Sequence, residues 1–143
     1  MVKYKKELLF FSIVFLVVIF DQLSKYLILK LQPLWNLEIL TIHLIKNTGA
    51  GFGILKNQTI LLTMISALVV AFILYYYKEI PKNTLPQISA ALFLAGAFGN
   101  LIDRLFRKFV VDFIDFSFWP AFNIADAGIT IGAVGLLIYF WKK

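Results

Sequence analysis

The stretch FNIADAGITIGAVGLLIYFWKK, residues 122–143, is an apolar run that ends in two lysines, and its one acidic side chain, Asp126, stands close to the start. A helix of about 20 apolar residues is long enough to cross a bilayer. A carboxylate inside such a segment is costly and is a candidate for function. The run therefore predicts a membrane-spanning helix over 124–141 with a candidate functional aspartate near one end.

The rest of the chain has the same apolar character. Of its 143 residues 61% are hydrophobic, 8 are acidic and 14 are basic, with one His and no Cys. Apolar windows predict three further spans, at about 8–30, 59–77 and 87–105. We expect an all-α integral membrane protein that forms a single domain over 1–143. This composition excludes disulfides, thiol catalysis and a multi-histidine zinc site.

The basic side chains lie mainly at the ends of the apolar runs, where they anchor spans at lipid headgroups rather than form a nucleic-acid-binding patch. Three lysines precede the first span, which favours termini on the cytoplasmic side. Four spans place both connecting loops, 31–58 and 106–123, on the opposite face. The polar motifs at the span ends then converge on that outer face.

The loop 31–58 contains an alternating strand pattern at 40–44 and then a glycine-rich turn at 47–53. The loop 106–123 is rich in β-branched and aromatic residues, which favours an extended conformation. We therefore expect a small extramembrane β-element beside the four helices.

Ionisable residues at the span ends suggest two kinds of role. Asp21 and Lys25 are spaced i,i+4 in the first span and predict an ion pair turned into the bundle. Asp126 has no basic residue three or four positions away, and Asp112 has only Lys108, in a segment that is expected to be extended rather than helical. Two carboxylates brought together can share one proton, so that one acts as a base on water and the other as an acid.

Other chemistries stay open on the residues alone. Ser24 and Lys25 are adjacent on a helix and do not face each other, which disfavours a Ser–Lys dyad. A serine triad would need the lone His43, which the alternation places on a strand. Several carboxylates could instead hold Mg²⁺. A proton-coupled transporter is a further alternative, although the chain shows no internal repeat.

Five motifs resemble the lipoprotein signal peptidases (type II signal peptidases) in order and over nearly the whole chain. They are DQLSK at 21–25, NTGAGFGIL at 47–55, GNLIDR at 99–104, VVDFIDF at 110–116 and FNIAD at 122–126. The resemblance implies a four-helix aspartic endopeptidase of the bacterial inner membrane that needs no metal or cofactor. Such an enzyme removes the signal peptide of prolipoproteins, cutting before a cysteine that carries a diacylglyceryl group.

The resemblance also assigns roles by position. It implies that Asp112 and Asp126 are the catalytic pair. The residues it assigns to binding the substrate and orienting the pair are Asn47, Asn100, Arg104 and Asn123. The residues it assigns to bracing the site are Asp21, Lys25 and Asp103, with Asp103 holding Arg104. The implied partners are diacylglyceryl prolipoproteins and membrane lipids, and we expect a monomer.

Overall fold

The computed structural model describes residues 2–51, 54–116 and 118–142. Phe52 and Gly53, at the end of the predicted glycine-rich turn, lie outside the described residues. The elements, in chain order, are α1 (Val2–Leu31), β1 (Trp35–Leu37), β2 (Leu40–Asn47), α2 (Thr59–Tyr75), a 3₁₀ turn (Tyr77–Glu79), α3 (Thr84–Phe106), β3 (Val110–Phe116), β4 (Trp119–Phe122) and α4 (Ile124–Trp141).

Three helical segments of the described chain are long and apolar enough to cross a bilayer: Lys6–Leu31, Thr84–Phe106 and Ile124–Trp141. Each overlaps a predicted span, and the protein is a multi-pass membrane protein. The helix α2 also coincides with a predicted span, but it has only 17 residues and is shorter than the other three.

The helix α3 lies at the centre of the bundle and packs against α1, α2 and α4. It carries most of the buried helical side chains, whereas α1 exposes large apolar ones such as Leu8, Phe15 and Phe20. In water such exposed apolar side chains would be unfavourable, but on a membrane protein they form the surface that faces lipid. The packing therefore suits a bilayer rather than water.

Small residues bring α3 and α4 close together. The α4 residues that face α3 include Gly128, Gly132 and Gly135, and a Cβ atom added at Gly132 would lie 2.5 Å from the carbonyl oxygen of Ser89. On α3, a Cβ atom added at Gly96 would lie 2.2 Å from the carbonyl oxygen of Ala125. Close backbone approach of this kind is the usual basis of helix association in membranes, where lipid removes the hydrophobic driving force.

The two connecting loops pair with each other in one antiparallel sheet of order β1-β2-β3-β4. In the β2–β3 register Ile45 lies opposite Asp112 and Asn47 lies opposite Val110, and a β-bulge falls between Ile42 and Ile45. The short edge strand β1 was not predicted from the sequence. The sheet places the loop that carries Asn47 directly beside the loop that carries Asp112.

The contact between α3 and α4 can be tested by enlarging Gly96. We expect Gly96→Ala to lower the thermal midpoint of unfolding in detergent micelles, because the added methyl group meets backbone that cannot move aside. Overpacking of this kind costs about 1–3 kcal/mol. Gly51→Ala is the matched control, since a Cβ atom there meets nothing within 4 Å. Equal midpoints for the two variants would contradict this account of the packing.

Candidate active site

A buried ammonium group, that of Lys25, lies between α1 and α3. Its Nζ lies 2.8 Å from an Asp21 carboxylate oxygen and 3.0 Å from an Asp103 carboxylate oxygen, and it donates a 3.1 Å hydrogen bond to Asn100 Oδ1. The Lys25, Asp21 and Asp103 side chains are 0% exposed. Arg107 forms a further ion pair with Asp103. We refer to Asp21, Lys25, Asp103 and Arg107 as the ion cluster; its two cations and two carboxylates balance in charge.

The carboxylates of Asp21 and Asp103 also accept hydrogen bonds from backbone N–H groups at the start of α4 and of β3. Asp21 Oδ1 accepts a 2.9 Å hydrogen bond from the N–H of Ala125, the residue before Asp126. Asp103 Oδ2 accepts a 3.0 Å hydrogen bond from the N–H of Val111, the residue before Asp112. Each buried acid thus fixes the backbone one residue ahead of a candidate catalytic aspartate.

The structure confirms the predicted Asp21–Lys25 pair and corrects the expectation that Asp103 holds Arg104. Adjacent residues on a helix point in different directions, so Asp103 turns toward α1 while Arg104 turns toward α2. Arg104 donates to Ser66 Oγ at 3.1 Å and to the carbonyl oxygen of Gly49 at 3.5 Å. The guanidinium group is therefore held by α2 and the 48–51 turn.

Sequence reasoning missed two members of this polar region, Gln22 and Arg107. Gln22 Nε2 donates to Asp21, to Asp103 and to the carbonyl oxygen of Gly99, and Gln22 Oε1 accepts from Arg107. A glutamine beside Asp21 in an apolar span was the available signal for the first. The i,i+4 spacing of Asp103 and Arg107 was the signal for the second.

One residue, Asn123, contacts both candidate catalytic carboxylates. Its side-chain Nδ2 donates to Asp112 Oδ1 at 2.7 Å, and its backbone N–H donates to Asp126 Oδ2 at 3.3 Å. Asn123 is also the N-cap of α4, where its Oδ1 accepts from the Asp126 N–H at 2.9 Å. This reciprocal arrangement is a capping box, with Asp126 at the N3 position. The capping box that starts α4 therefore also orients Asp126.

Two more asparagines complete the polar surroundings of the pair. Asn100 Nδ2 donates to Asp126 Oδ1 at 2.7 Å, while Asn100 Oδ1 faces Lys25. Asn47 Nδ2 donates to Asp112 Oδ2 at 2.8 Å, and its Oδ1 accepts from the N–H of Gly49. These contacts bring five sequence-predicted residues together. We refer to Asp112 and Asp126 as the candidate dyad.

The environment of Asp112 favours its protonated form. Burial away from water and, to a smaller extent, the nearby charge of Asp126 raise the pKa of this carboxyl from its ordinary value of 3.8 to about 6. The hydrogen bonds from Asn47 and Asn123 oppose that rise without cancelling it. A carboxyl with a pKa near 6 can hold or release a proton close to neutral pH, as acid–base chemistry requires.

A cavity of about 440 Å³ opens beside Asp126, which we name the α4 cavity. Its polar lining includes Asp126, Arg104 and Asn47. The remaining lining comes from the 49–51 turn, from Val110, from the strand β4 and from the first two turns of α4. The cavity therefore offers an apolar wall with a carboxylate and a guanidinium group at one end.

His43, which a serine triad would have needed, instead pairs with Asp115 on the neighbouring strand. His43 Nε2 lies 2.9 Å from Asp115 Oδ2 across β2 and β3, and both side chains are about one-third exposed. Ser24 donates its hydroxyl to the carbonyl oxygen of Asp21. His43 and Asp115 are thus held within the sheet, and Ser24 is held within α1.

The chain is similar to known signal peptidases over most of its length. The family profile described as Signal peptidase (SPase) II matches residues 13–142. A lipoprotein signal peptidase of Halothermothrix orenii is 37% identical over 138 residues, covering 93% of this chain and 95% of that protein. A lipoprotein signal peptidase of Caldanaerobacter subterraneus subsp. tengcongensis is 43% identical over 136 residues, covering 90% and 94%.

Two solved structures have a similar fold. Both are described as a bacterial membrane enzyme determined by the in meso method, one at 2.3 Å and one at 1.9 Å resolution. The first has a TM-score of 0.86 at 34% identity and covers 93% of this chain and 87% of its own. The second has a TM-score of 0.82 at 34% identity, with coverage of 94% and 93%.

The role of the ion cluster can be tested at Lys25. We expect Lys25→Met to destabilise the protein strongly, because it leaves Asp21 buried without its cation. Breaking a buried ion pair by removing one partner costs about 3–5 kcal/mol. Lys30→Met on the same helix is the control, since Lys30 is exposed and such substitutions change stability by about 0.5 kcal/mol or less. Similar thermal midpoints for the two variants would argue against the cluster as a structural centre.

The pKa of Asp112 can be tested through the pH dependence of stability. Because its folded-state pKa lies above its ordinary value, the folded protein binds more protons than the unfolded chain between pH 3.8 and about 6. This carboxyl therefore makes the protein less stable as the pH rises through that interval. We expect Asp112→Asn to remove this loss when thermal midpoints are compared at pH 4 and pH 6.5. The idea fails if both proteins show the same pH dependence.

Proposed function

The chain belongs to the signal peptidase II family, and on this premise we propose that it is an aspartic endopeptidase of lipoprotein processing. It removes the signal peptide from prolipoproteins that carry a diacylglyceryl cysteine and cuts the bond before that cysteine. The observation that carries this proposal is the position of Asn123, whose side chain and backbone hydrogen-bond to Asp112 and Asp126. Two carboxylates held on one residue can share a proton and divide the acid and base roles.

The reaction begins with one carboxyl of the candidate dyad ionised and the other neutral. The ionised carboxyl takes a proton from a water molecule while the water oxygen bonds to the scissile carbonyl carbon, and the neutral carboxyl gives its proton to the carbonyl oxygen. The carbon–nitrogen bond then breaks. The leaving amine takes a proton from the dyad, and the carbonyl re-forms as its hydroxyl proton returns. The dyad ends with the one proton with which it began.

Arg104, Asn100 and Asn123 have donors that suit an unwound substrate. A peptide bond can be cut only where the substrate helix opens, and in a membrane the freed backbone groups must find protein partners. Arg104 lines the α4 cavity beside Asp126, and its hydrogen bonds within the described part of the chain go to the Ser66 hydroxyl and the Gly49 carbonyl rather than to a carboxylate. We propose that it binds a substrate carbonyl.

The signal helix would lie between α2 and α4. A second, larger cavity of about 1060 Å³ is lined by α2, by α3 and by Leu136 and Phe140 of α4, near the opposite end of the bundle. From Asp126 to Phe140 the helix α4 extends about 21 Å, at 1.5 Å per residue. This length matches the apolar region of a signal peptide, which has about 7–15 residues.

The topology proposed for this reaction has four spans. The helix α2, with 17 residues, is at the lower limit of about 17–25 residues for a membrane span. The enzyme would lie in the bacterial inner membrane with both termini in the cytoplasm and the candidate dyad near the outer face. The lysines before the first span support this orientation. Both carboxylates come from one chain, so we propose a monomer with substrate acyl chains left in the bilayer.

Substitution of each aspartate tests the mechanism. We expect Asp112→Asn and Asp126→Asn each to lower cleavage of a diacylglyceryl prolipoprotein in detergent by about 10²–10⁴-fold, the usual contribution of general acid–base catalysis. The assay contains a chelator. Asp115→Asn is the control, because Asp115 lies on the same strand as Asp112 but pairs with His43.

Each result of this assay has a distinct meaning. Retained turnover in either Asp112→Asn or Asp126→Asn would overturn the dyad. Cleavage by the wild type that appears only after Mg²⁺ is added would assign the carboxylates to metal binding instead. Equal activity on a prolipoprotein without its diacylglyceryl group would mean that the enzyme does not require the lipid on the cysteine.

A further inference from the structure

A separate cavity reaches the candidate dyad from the side of the sheet. It has a volume of about 280 Å³ and is lined by Ile45, Lys46, Asn47, Thr48, Lys56, Asp112, Pro120 and Ala121. We name it the lysine cavity. Asp112 lines the lysine cavity, Asp126 lines the α4 cavity, and Asn47, Pro120 and Ala121 line both.

The candidate dyad therefore stands between two cavities of different chemistry. A peptide whose scissile bond lies between Asp112 and Asp126 must pass from one cavity to the other beside Asn47. The α4 cavity continues along apolar residues of α4 and suits the end of the signal helix. The lysine cavity presents two ammonium groups, an amide and a hydroxyl, and so suits a polar chain.

We propose that the lysine cavity binds the substrate segment that follows the scissile bond and that Lys46 and Lys56 favour acidic side chains there. This inference rests on the proposed function, because it needs a peptide substrate cut at the dyad. The lysine cavity would then select substrates by the first residues after the lipidated cysteine. These residues belong to the mature protein and leave the membrane surface there.

The lysines are placed to act on a substrate rather than on the fold. Both are exposed, and the Lys46 Nζ lies 5.3 Å from the centroid of the Phe109 ring. A cation–π contact at an exposed site contributes only about 0.5–1 kcal/mol, so a substrate carboxylate can compete for that ammonium group.

Paired substrates provide the test. Two diacylglyceryl prolipoprotein peptides would differ only in the two residues after the lipidated cysteine, Asp-Asp in one and Asn-Asn in the other. We expect the wild type to cleave the acidic peptide with a kcat/KM about 2- to 10-fold higher at low salt, as two exposed ion pairs allow. The preference should shrink as salt is raised toward 1 M, where the screening length is about 3 Å.

Variants identify the groups responsible. The double variant Lys46→Gln/Lys56→Gln should bring the ratio of the two kcat/KM values to about 1, since both ammonium groups are gone. Lys108→Gln should retain the wild-type ratio, because Lys108 is an exposed lysine that donates to the carbonyl oxygen of Leu105. The control lies near the same end of the bundle and removes one positive charge, where the double variant removes two.

The outcomes separate the two proposals. Equal kcat/KM for both peptides in the wild type would overturn the acidic specificity and leave the peptidase assignment intact. A preference that survives the double variant would overturn the assignment to Lys46 and Lys56. Cleavage of neither peptide by the wild type would count against the proposed function itself, and the specificity that rests on it would go with it.

Discussion

The buried ammonium group of Lys25 is the interaction on which the polar half of this protein depends. An ammonium group in an apolar bundle is tolerable only when its three protons meet acceptors, and here they meet Asp21, Asp103 and Asn100. The two acids then hold the N–H groups of Ala125 and Val111. Through these contacts one charge fixes the start of α4 and the start of β3, and with them the spacing of the candidate dyad.

The side chains that hold Asp112 and Asp126 are asparagine amides, whereas Asp21 and Asp103 pair with cations and also accept from the Gln22 amide. This difference has a chemical consequence. The charge of each bracing acid is matched by a neighbouring cation, Lys25 for Asp21, and Lys25 and Arg107 for Asp103. Asp112 receives neutral donors from Asn47 and Asn123, so burial and its neighbour Asp126 dominate and its pKa rises. The four acids thus divide into two that pair with cations and two that are held by asparagine donors.

Contacts between residues close together in the sequence could be predicted, whereas contacts between residues on different elements could not. The Asp21–Lys25 pair and the span of α4 follow from local spacing, and the structure has both. The partner of Asp103 does not follow from local spacing, because the choice between Arg104, Lys25 and Arg107 depends on which face of α3 meets α1. The strand β1 was missed for the same reason, since three exposed residues form a strand only because β2 is there to pair with them.

The i,i+4 pair in α1 also bears on how the chain enters the membrane during synthesis. Asp21 and Lys25 neutralise each other within one helix, so α1 can leave the translocation machinery as an apolar rod before any other helix exists. The remaining acceptors of Lys25 lie on α3 and are made much later. A nascent chain can therefore carry this charge into lipid with part of its cost already offset, and the arrival of α3 supplies the two remaining acceptors and links the two helices.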